Sequence, residues 1–172
     1  MPNKFIVALI ILVTTFHVSA QRIISPTDSF VVEGKIVKSL VLAIADLGTY
    51  PEVVIKDQVI HNHKGEVKDT LTGLKGVLLK TILAPVEYVY EKPKELNEFY
   101  FVFTASDGYR VVFSWNEIYN TEAGNQFYIL TTIDGKAIKD SDQRIVFIST
   151  ADLSTGRRYI KGLQKIEVKK VE

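Results

Sequence analysis

The 172-residue sequence contains no cysteine, and that absence removes more chemistry than any other feature of it. Disulfides, thiolate metal sites, iron–sulfur clusters, cysteine nucleophiles and lipid attachment to cysteine are all excluded. Charge of one sign is also missing: the formal net charge is +1. Setting aside Lys4, which falls in an N-terminal leader, leaves basic and acidic residues balanced. Nucleic-acid binders ordinarily carry a basic excess or a basic face, so no nucleic-acid partner is expected. The Gly-x-Ser-x-Gly turn of serine hydrolases is absent, and so are the phosphate-binding loop and the dinucleotide fingerprint. A carboxylate pair of the glycosidase kind cannot be located from sequence and stays open. The apolar run over residues 5–13 is well short of the roughly 20 residues that a spanning helix needs.

That run has another use. Lys4 precedes it, and Val18-Ser19-Ala20 comes after it as a small-residue cleavage site, so residues 1–20 read as a secretory signal peptide with Gln21 the new N-terminus. No Arg-Arg pair precedes the run, which argues against the twin-arginine route. The expectation is an exported protein, in a bacterial periplasm or outside the cell, with no membrane span after cleavage. Residues 21–28 form a polar lead-in. Residues 29–172 have the length of one domain and can support a core without covalent staples.

Within that domain the pattern is mostly strand. Residues 29–37 place Phe30, Val32 and Ile36 on one face by period two. Residues 40–47 suggest a short strand running into a helical turn, stopped by Gly48 and Pro51. Residues 52–62 are expected as one strand, returning over 66–71 after a turn at Lys64-Gly65. The stripe Leu78, Leu79, Ile82, Leu83 followed by Pro85 predicts a short helix over 77–83. Residues 99–104 are apolar on both faces, as in a buried central strand. Asp107-Gly108 turns into a strand over 109–113. Ser114 and Glu117 form a capping box for a short helix over 115–119. Strands are expected over 126–132 and 136–138, around Asp134-Gly135, and over 144–149. In a closing strand over 163–171, Ile166 and Val168 face inward and Lys165, Glu167 and Lys169 outward. Trp115, Phe99, Phe101, Phe103 and Phe113 are core candidates. Eight or nine strands with few short helices make a β-dominated α+β domain, with a pure sandwich as the alternative.

The order of these pieces resembles the molybdopterin-binding domain of the sulfite-oxidase family. Phe30 to Ile36 is similar to its opening F-x-V-x-G-x-V, and Leu40 to Leu47 to its S-L-x-x-D-L. Lys75 to Leu83 resembles W-x-G-V-P-L-x-x-L-L, and Ala105 to Tyr109 resembles A-x-D-G-Y. Ile133 to Ile138 is similar to x-N-G-E-x-L, and Arg144-Ile145-Val146 to L-R-L-V-V-P. Gly156 to Lys161, with Ile166 to Val168, resembles the closing G-x-K-x-V-K…I-E-V. The likeness runs over about residues 29–169 and rests on the shared order of seven weak pieces. It implies a sulfite-oxidase-type fold. It also implies that the segment Gly156-Arg157-Arg158-Tyr159-Ile160-Lys161 contacts a pterin and its phosphate.

One departure bears directly on the cofactor. The family holds molybdenum through a cysteine between the third strand and the W-x-G-V helix, where this sequence has Ile60-His61-Asn62-His63-Lys64-Gly65. Neither an amide nor an imidazole replaces a soft thiolate neutrally. The family's tryptophan is also gone, with Leu74 near its place. A secretory signal threads unfolded chains, which a cofactor loaded in the cytoplasm would not survive. No cofactor is therefore expected, although molybdopterin is the one the resemblance leaves open.

Candidate binding residues are Gly156, Arg157, Arg158 and Lys161, whose cations and backbone N–H groups suit a phosphate or carboxylate. Asp107 and Tyr109 are candidates for a pocket rim, with turn chemistry as the plainer explanation. No metal site is expected. His61 and His63, with Glu66 or Asp57, are weak candidates, short of the four ligands of a closed zinc site. No residue is assigned a catalytic role. The leading expectation is an exported relative of the molybdopterin-binding domain acting as a non-catalytic module for an anionic small molecule or a protein. The alternative is a molybdopterin-dependent oxidoreductase domain or subunit using a non-cysteine metal ligand. A purely structural domain is a third possibility.

Overall fold

The computed structural model describes residues 24–172, so the signal expected over 1–20 lies outside the described residues. The chain opens with β1 (Ser29–Gly34) and β2 (Leu40–Ala43), then a 3-10 turn over Ile44–Thr49. Next come β3 (Glu52–Ile55), β4 (Gln58–His61), β5 (Val67–Leu71), β6 (Leu74–Leu78) and the single helical turn α1 (Leu79–Leu83). After a 3-10 turn over Pro93–Glu98 come β7 (Phe99–Ala105), β8 (Arg110–Ser114) and α2 (Trp115–Tyr119). The rest is β9 (Phe127–Ile133), β10 (Lys136–Ala137), β11 (Phe147–Ser149), a 3-10 turn over Thr155–Arg157 and β12 (Leu163–Lys170). The β-dominated α+β class stands, with twelve short strands among the described residues where eight or nine were expected.

Two sheets and a hairpin carry these strands. The first sheet runs β2-β1-β12-β7-β8, with β1 parallel to β12 and every other pair antiparallel. The second runs β10-β9-β6-β3, with β11 also paired to β9. The β4–β5 hairpin pairs with neither.

The main core lies between the sheets. Phe30, Val32, Phe101, Phe103, Phe113, Ile166 and Val168 enter it from the first sheet, and Val77, Phe127, Ile129 and Phe147 from the second. Phe103, Phe113, Phe127 and Phe147 form a ring cluster at centroid separations of 4.9–5.9 Å, in tilted or edge-on contact. Such contacts add to the burial energy of the rings. A second, smaller core lies on the opposite face of the second sheet. There Leu74, Leu130, Val146 and Ile148 meet Ile60 and Leu71 of the hairpin. Those two side chains dock the hairpin onto the body of the domain and put its tip where the candidate site lies.

Several expectations are corrected. Residues 52–62 are not one strand: β3 joins the second sheet, β4 starts the hairpin, and Lys56 and Asp57 lie between. The Asp57 carboxylate accepts from the Gly73 amide at 3.1 Å, fixing that change of direction. The helix expected over 77–83 begins only at Leu79. Residues 74–78 are strand because they are hydrogen-bonded on both sides, to β3 and to β9. This two-sided pairing overrides a weak helical stripe of one turn. Strand β7 is central but not covered on both faces: Phe99, Phe101 and Phe103 are buried while Tyr100, Val102 and Thr104 are half-exposed. The strand expected over 144–149 shortens to β11, because Ile145 adopts φ 55° and breaks the extended run. Trp115 sits at the rim of the core, stacked on Tyr119 with ring centroids 4.9 Å apart.

Candidate functional site

Three segments meet at one end of the domain. The first is the hairpin tip, with His61, Asn62 and His63, and Lys68 on the returning strand. The second is the β7–β8 turn, with Asp107 and Tyr109, and the third is the run from Gly156 to Lys161. Between them lies an open cleft of about 450 Å³. Among the described residues, Lys68, Arg157 and Lys161 bring three cations to its lining against the single carboxylate of Asp107.

Local hydrogen bonds explain why these segments stay together. In the β7–β8 turn the Asp107 carboxylate accepts from the Tyr109 amide at 2.8 Å, while Gly108 takes φ 80°, a conformation suited to glycine. Tyr109 then reaches across the cleft mouth and donates its hydroxyl to the Arg157 carbonyl at 2.5 Å. Thr155 pins the other side: its hydroxyl donates to the Val59 carbonyl at 2.6 Å and accepts from the His61 amide at 3.2 Å. Gly156 lies so close to the hairpin that a Cβ there would stand 2.1 Å from the His61 carbonyl oxygen. In this protein Asp107 and Tyr109 therefore serve both as turn chemistry and as pocket rim. Asn62 shapes the hairpin tip: its side-chain oxygen accepts from the Lys64 and Glu66 amides at 2.8 and 3.0 Å.

Electrostatics at the cleft are unbalanced. Burial and the nearby Lys68 ammonium depress the proton affinity of Lys161, and Asp69 only partly opposes them. The Lys161 ammonium lies 5.1 Å from the centre of the Tyr159 ring. Burial pushes the Tyr159 hydroxyl upward, so it stays protonated and neutral. The His61 Nδ1 atom is buried without a hydrogen-bond partner, although other atoms of the residue line the cleft.

Of the residues singled out in the sequence, Asp107, Tyr109, Gly156, Arg157, Lys161, His61 and His63 all line this cleft. Arg158 does not. Its guanidinium turns inward over the Phe113 ring, 4.7 Å from the centroid, and pairs with both Asp152 and Glu117. One of the bonds to Asp152 measures 2.7 Å, and the Ser149 hydroxyl donates to the same carboxylate at 2.6 Å. Those bonds, first to Asp152 and then to Glu117, raise the proton affinity of Arg158 further. Glu117 is thereby drawn away from half of its expected capping box: Ser114 Oγ accepts from the Glu117 amide at 3.0 Å, but the Glu117 carboxylate is spent on Arg158.

The metal candidates separate. Glu66 accepts from the Asn62 side chain and Asp57 from the Gly73 amide, so neither joins the histidines. Among the described residues, no three His, Asp or Glu side chains gather as a metal site would require. Residues 60–65, where the resemblance would need a thiolate, form the hairpin tip and offer imidazoles and an amide instead. That donor set does not fit molybdenum held in the sulfite-oxidase manner.

Lys68 was not singled out in the sequence, and Tyr159 only as part of the 156–161 segment. Lys68 lies in an exposed run of β5, and nothing local shows that its face meets the 156–161 segment.

No family model matches the chain, and no curated protein sequence matches it either. Solved structures do, among them the crystal structure of the sulfane dehydrogenase SoxCD from Paracoccus pantotrophus, with a TM-score of 0.59 at 14% identity. The superposition covers 84% of this chain and 39% of that one, so the chain spans well under half of the protein it resembles. The likeness is one of fold, and it agrees with the sulfite-oxidase-type architecture expected from the ordered motifs.

Proposed function

We propose that the chain is an exported binding module, without redox chemistry of its own, that takes an anionic small molecule into the cleft between the hairpin tip and the 156–161 segment. One observation carries this reading: Lys68, Arg157 and Lys161 line one open cleft where the charge of Lys161 has no ion-pair partner among the described residues and only a distant offset from Asp69. A phosphate or carboxylate placed there offsets the repulsion between the lysines and gives their ammonium groups and the Arg157 guanidinium an acceptor. The fold shared with the sulfane dehydrogenase is consistent with descent from an oxidoreductase scaffold, and the missing thiolate argues that the redox chemistry did not come with it. Export rests on the leader over residues 1–20, and places the module in the periplasm or outside the cell.

The test is thermal unfolding of the purified protein with orthophosphate and pyrophosphate. A ligand at about 100 times its Kd stabilises by about 2.7 kcal/mol, enough to raise Tm by roughly 5–10 °C in a domain of this size. The double variant K68A/K161A should lose that rise. A shift that survives both substitutions puts the anion elsewhere. Stoichiometric molybdenum in protein taken from its native compartment overturns the reading outright.

A further inference from the structure

We propose that Lys161 is a nucleophilic amine, forming an imine with small oxo acids whose carboxylate is held in this cleft. The proposal rests on the anion-binding reading and adds a covalent step to it.

Lys161 differs in its setting from the lysines that are ion-paired. Lys75, Lys165, Lys169 and Lys170 each pair with a glutamate. Among the described residues, no carboxylate ion-pairs with Lys161, although its side chain is half-buried. Its nitrogen faces the Tyr159 ring on one side and the open cleft on the other. A desolvated lysine beside a second cation is the arrangement that yields a reactive amine, because both effects favour the unprotonated form. Here burial and Lys68 supply the two effects.

The same surroundings select the electrophile. Lys68, Arg157 and Lys161 line the same cleft, so a carboxylate held by the first two occupies space that Lys161 also borders. In a 2-oxo acid the carbonyl carbon lies one bond from the carboxylate, so fixing the anion presents that carbon to the amine. The lone pair of Lys161 Nζ forms a C–N bond as the carbonyl π bond breaks, and the nitrogen passes a proton through solvent to the oxygen, giving the neutral carbinolamine. The carbinolamine then loses water as the nitrogen lone pair forms C=N. Amine and carbonyl give imine and water, with no change of oxidation state.

The experiment is reductive trapping. The purified protein is incubated with glyoxylate and cyanoborohydride, digested, and mapped by mass spectrometry for carboxymethyl-lysine. Modification of Lys161 should exceed the mean for exposed lysines such as Lys38 by about tenfold, a modest return for holding the reactants together. The enrichment should fall when propanal, which has no anion, replaces glyoxylate, and when orthophosphate competes. In K161R the adduct should vanish from the cleft and not move to Lys68. Modification spread evenly over the exposed lysines, or equal enrichment with propanal, sinks the proposal. If orthophosphate still stabilises the wild-type protein in that case, the anion-binding reading survives without the covalent step. If orthophosphate has no effect either, both fail.

Discussion

Arg158 and Lys161 are three residues apart in one segment, and the fold treats their charges in opposite ways. Arg158 points inward, where two carboxylates and two aromatic rings receive it. Lys161 points into the cleft, where another cation meets it and no carboxylate pairs with it among the described residues. A satisfied guanidinium ties α2, the 150–155 loop and the 156–161 segment together. A partly desolvated ammonium without an ion pair costs stability, and an arriving anion offsets that cost. Clusters of cations are thus poor evidence of a binding site until their internal partners are known.

The largest effect expected from this contrast is on the inner member. R158A leaves Asp152 and Glu117 without their cation, and Asp152 is only 9% exposed. Because Arg158 and Glu117 retain partial solvent access, the loss should be about 2–4 kcal/mol, below the full cost of breaking a deeply buried pair. Urea unfolding should show it as a lower midpoint. The anion response should persist at temperatures where the variant is folded. A variant as stable as wild type would mean the inner clamp holds nothing.

G156A comes second. Its new methyl group has no room beside the His61 carbonyl, so the hairpin tip or the 155–157 turn must shift. A cost of about 1–3 kcal/mol is expected for this overpacking. Unlike R158A, it should also weaken the phosphate-induced rise in Tm, because the displaced tip carries one wall of the cleft. An undiminished rise would separate the hairpin from the site.

This asymmetry bears on what the sequence made legible. Period-two alternation is a local signal, and it placed Ile166 and Val168 inward and Lys165, Glu167 and Lys169 outward, as β12 has them. Turn chemistry at Asp107-Gly108 was equally local and equally readable. The Ser114 cap was half readable, since its hydroxyl bond depends on neighbours but the return bond from Glu117 loses to a cation 41 residues away. Which of two adjacent arginines faces the cleft was not readable at all. That depends on Asp152 and Glu117, whose approach is set by tertiary packing. Lys68 was missed for the same reason: it comes from a hairpin whose place is fixed by Ile60 and Leu71 in a separate core. Residues 74–78 show the reverse failure, a local helical signal overruled by pairing on both sides.

The smallest effect concerns the outer member and has a sign that can be worked out in advance. Burial and Lys68 make Lys161 hold its proton less tightly in the folded chain than in the unfolded one, whose ordinary value is 10.5. Below the folded value both states are protonated and the full penalty is present. Between the folded and unfolded values the unfolded state binds more protons, so this contribution to stability rises with pH and the penalty is relieved. K161M keeps most of the aliphatic stem and removes the charge. It should therefore be slightly more stable than wild type near neutral pH, by under about 1 kcal/mol given the partial exposure. That advantage should shrink as pH climbs towards the ordinary lysine range. Added orthophosphate should reverse the order, stabilising the wild-type protein more than the variant. Urea midpoints measured across the alkaline range, with and without phosphate, read all three trends. A K161M deficit that is constant with pH would show that the stem packs and the charge is indifferent, and the contrast with Arg158 would then be one of geometry alone.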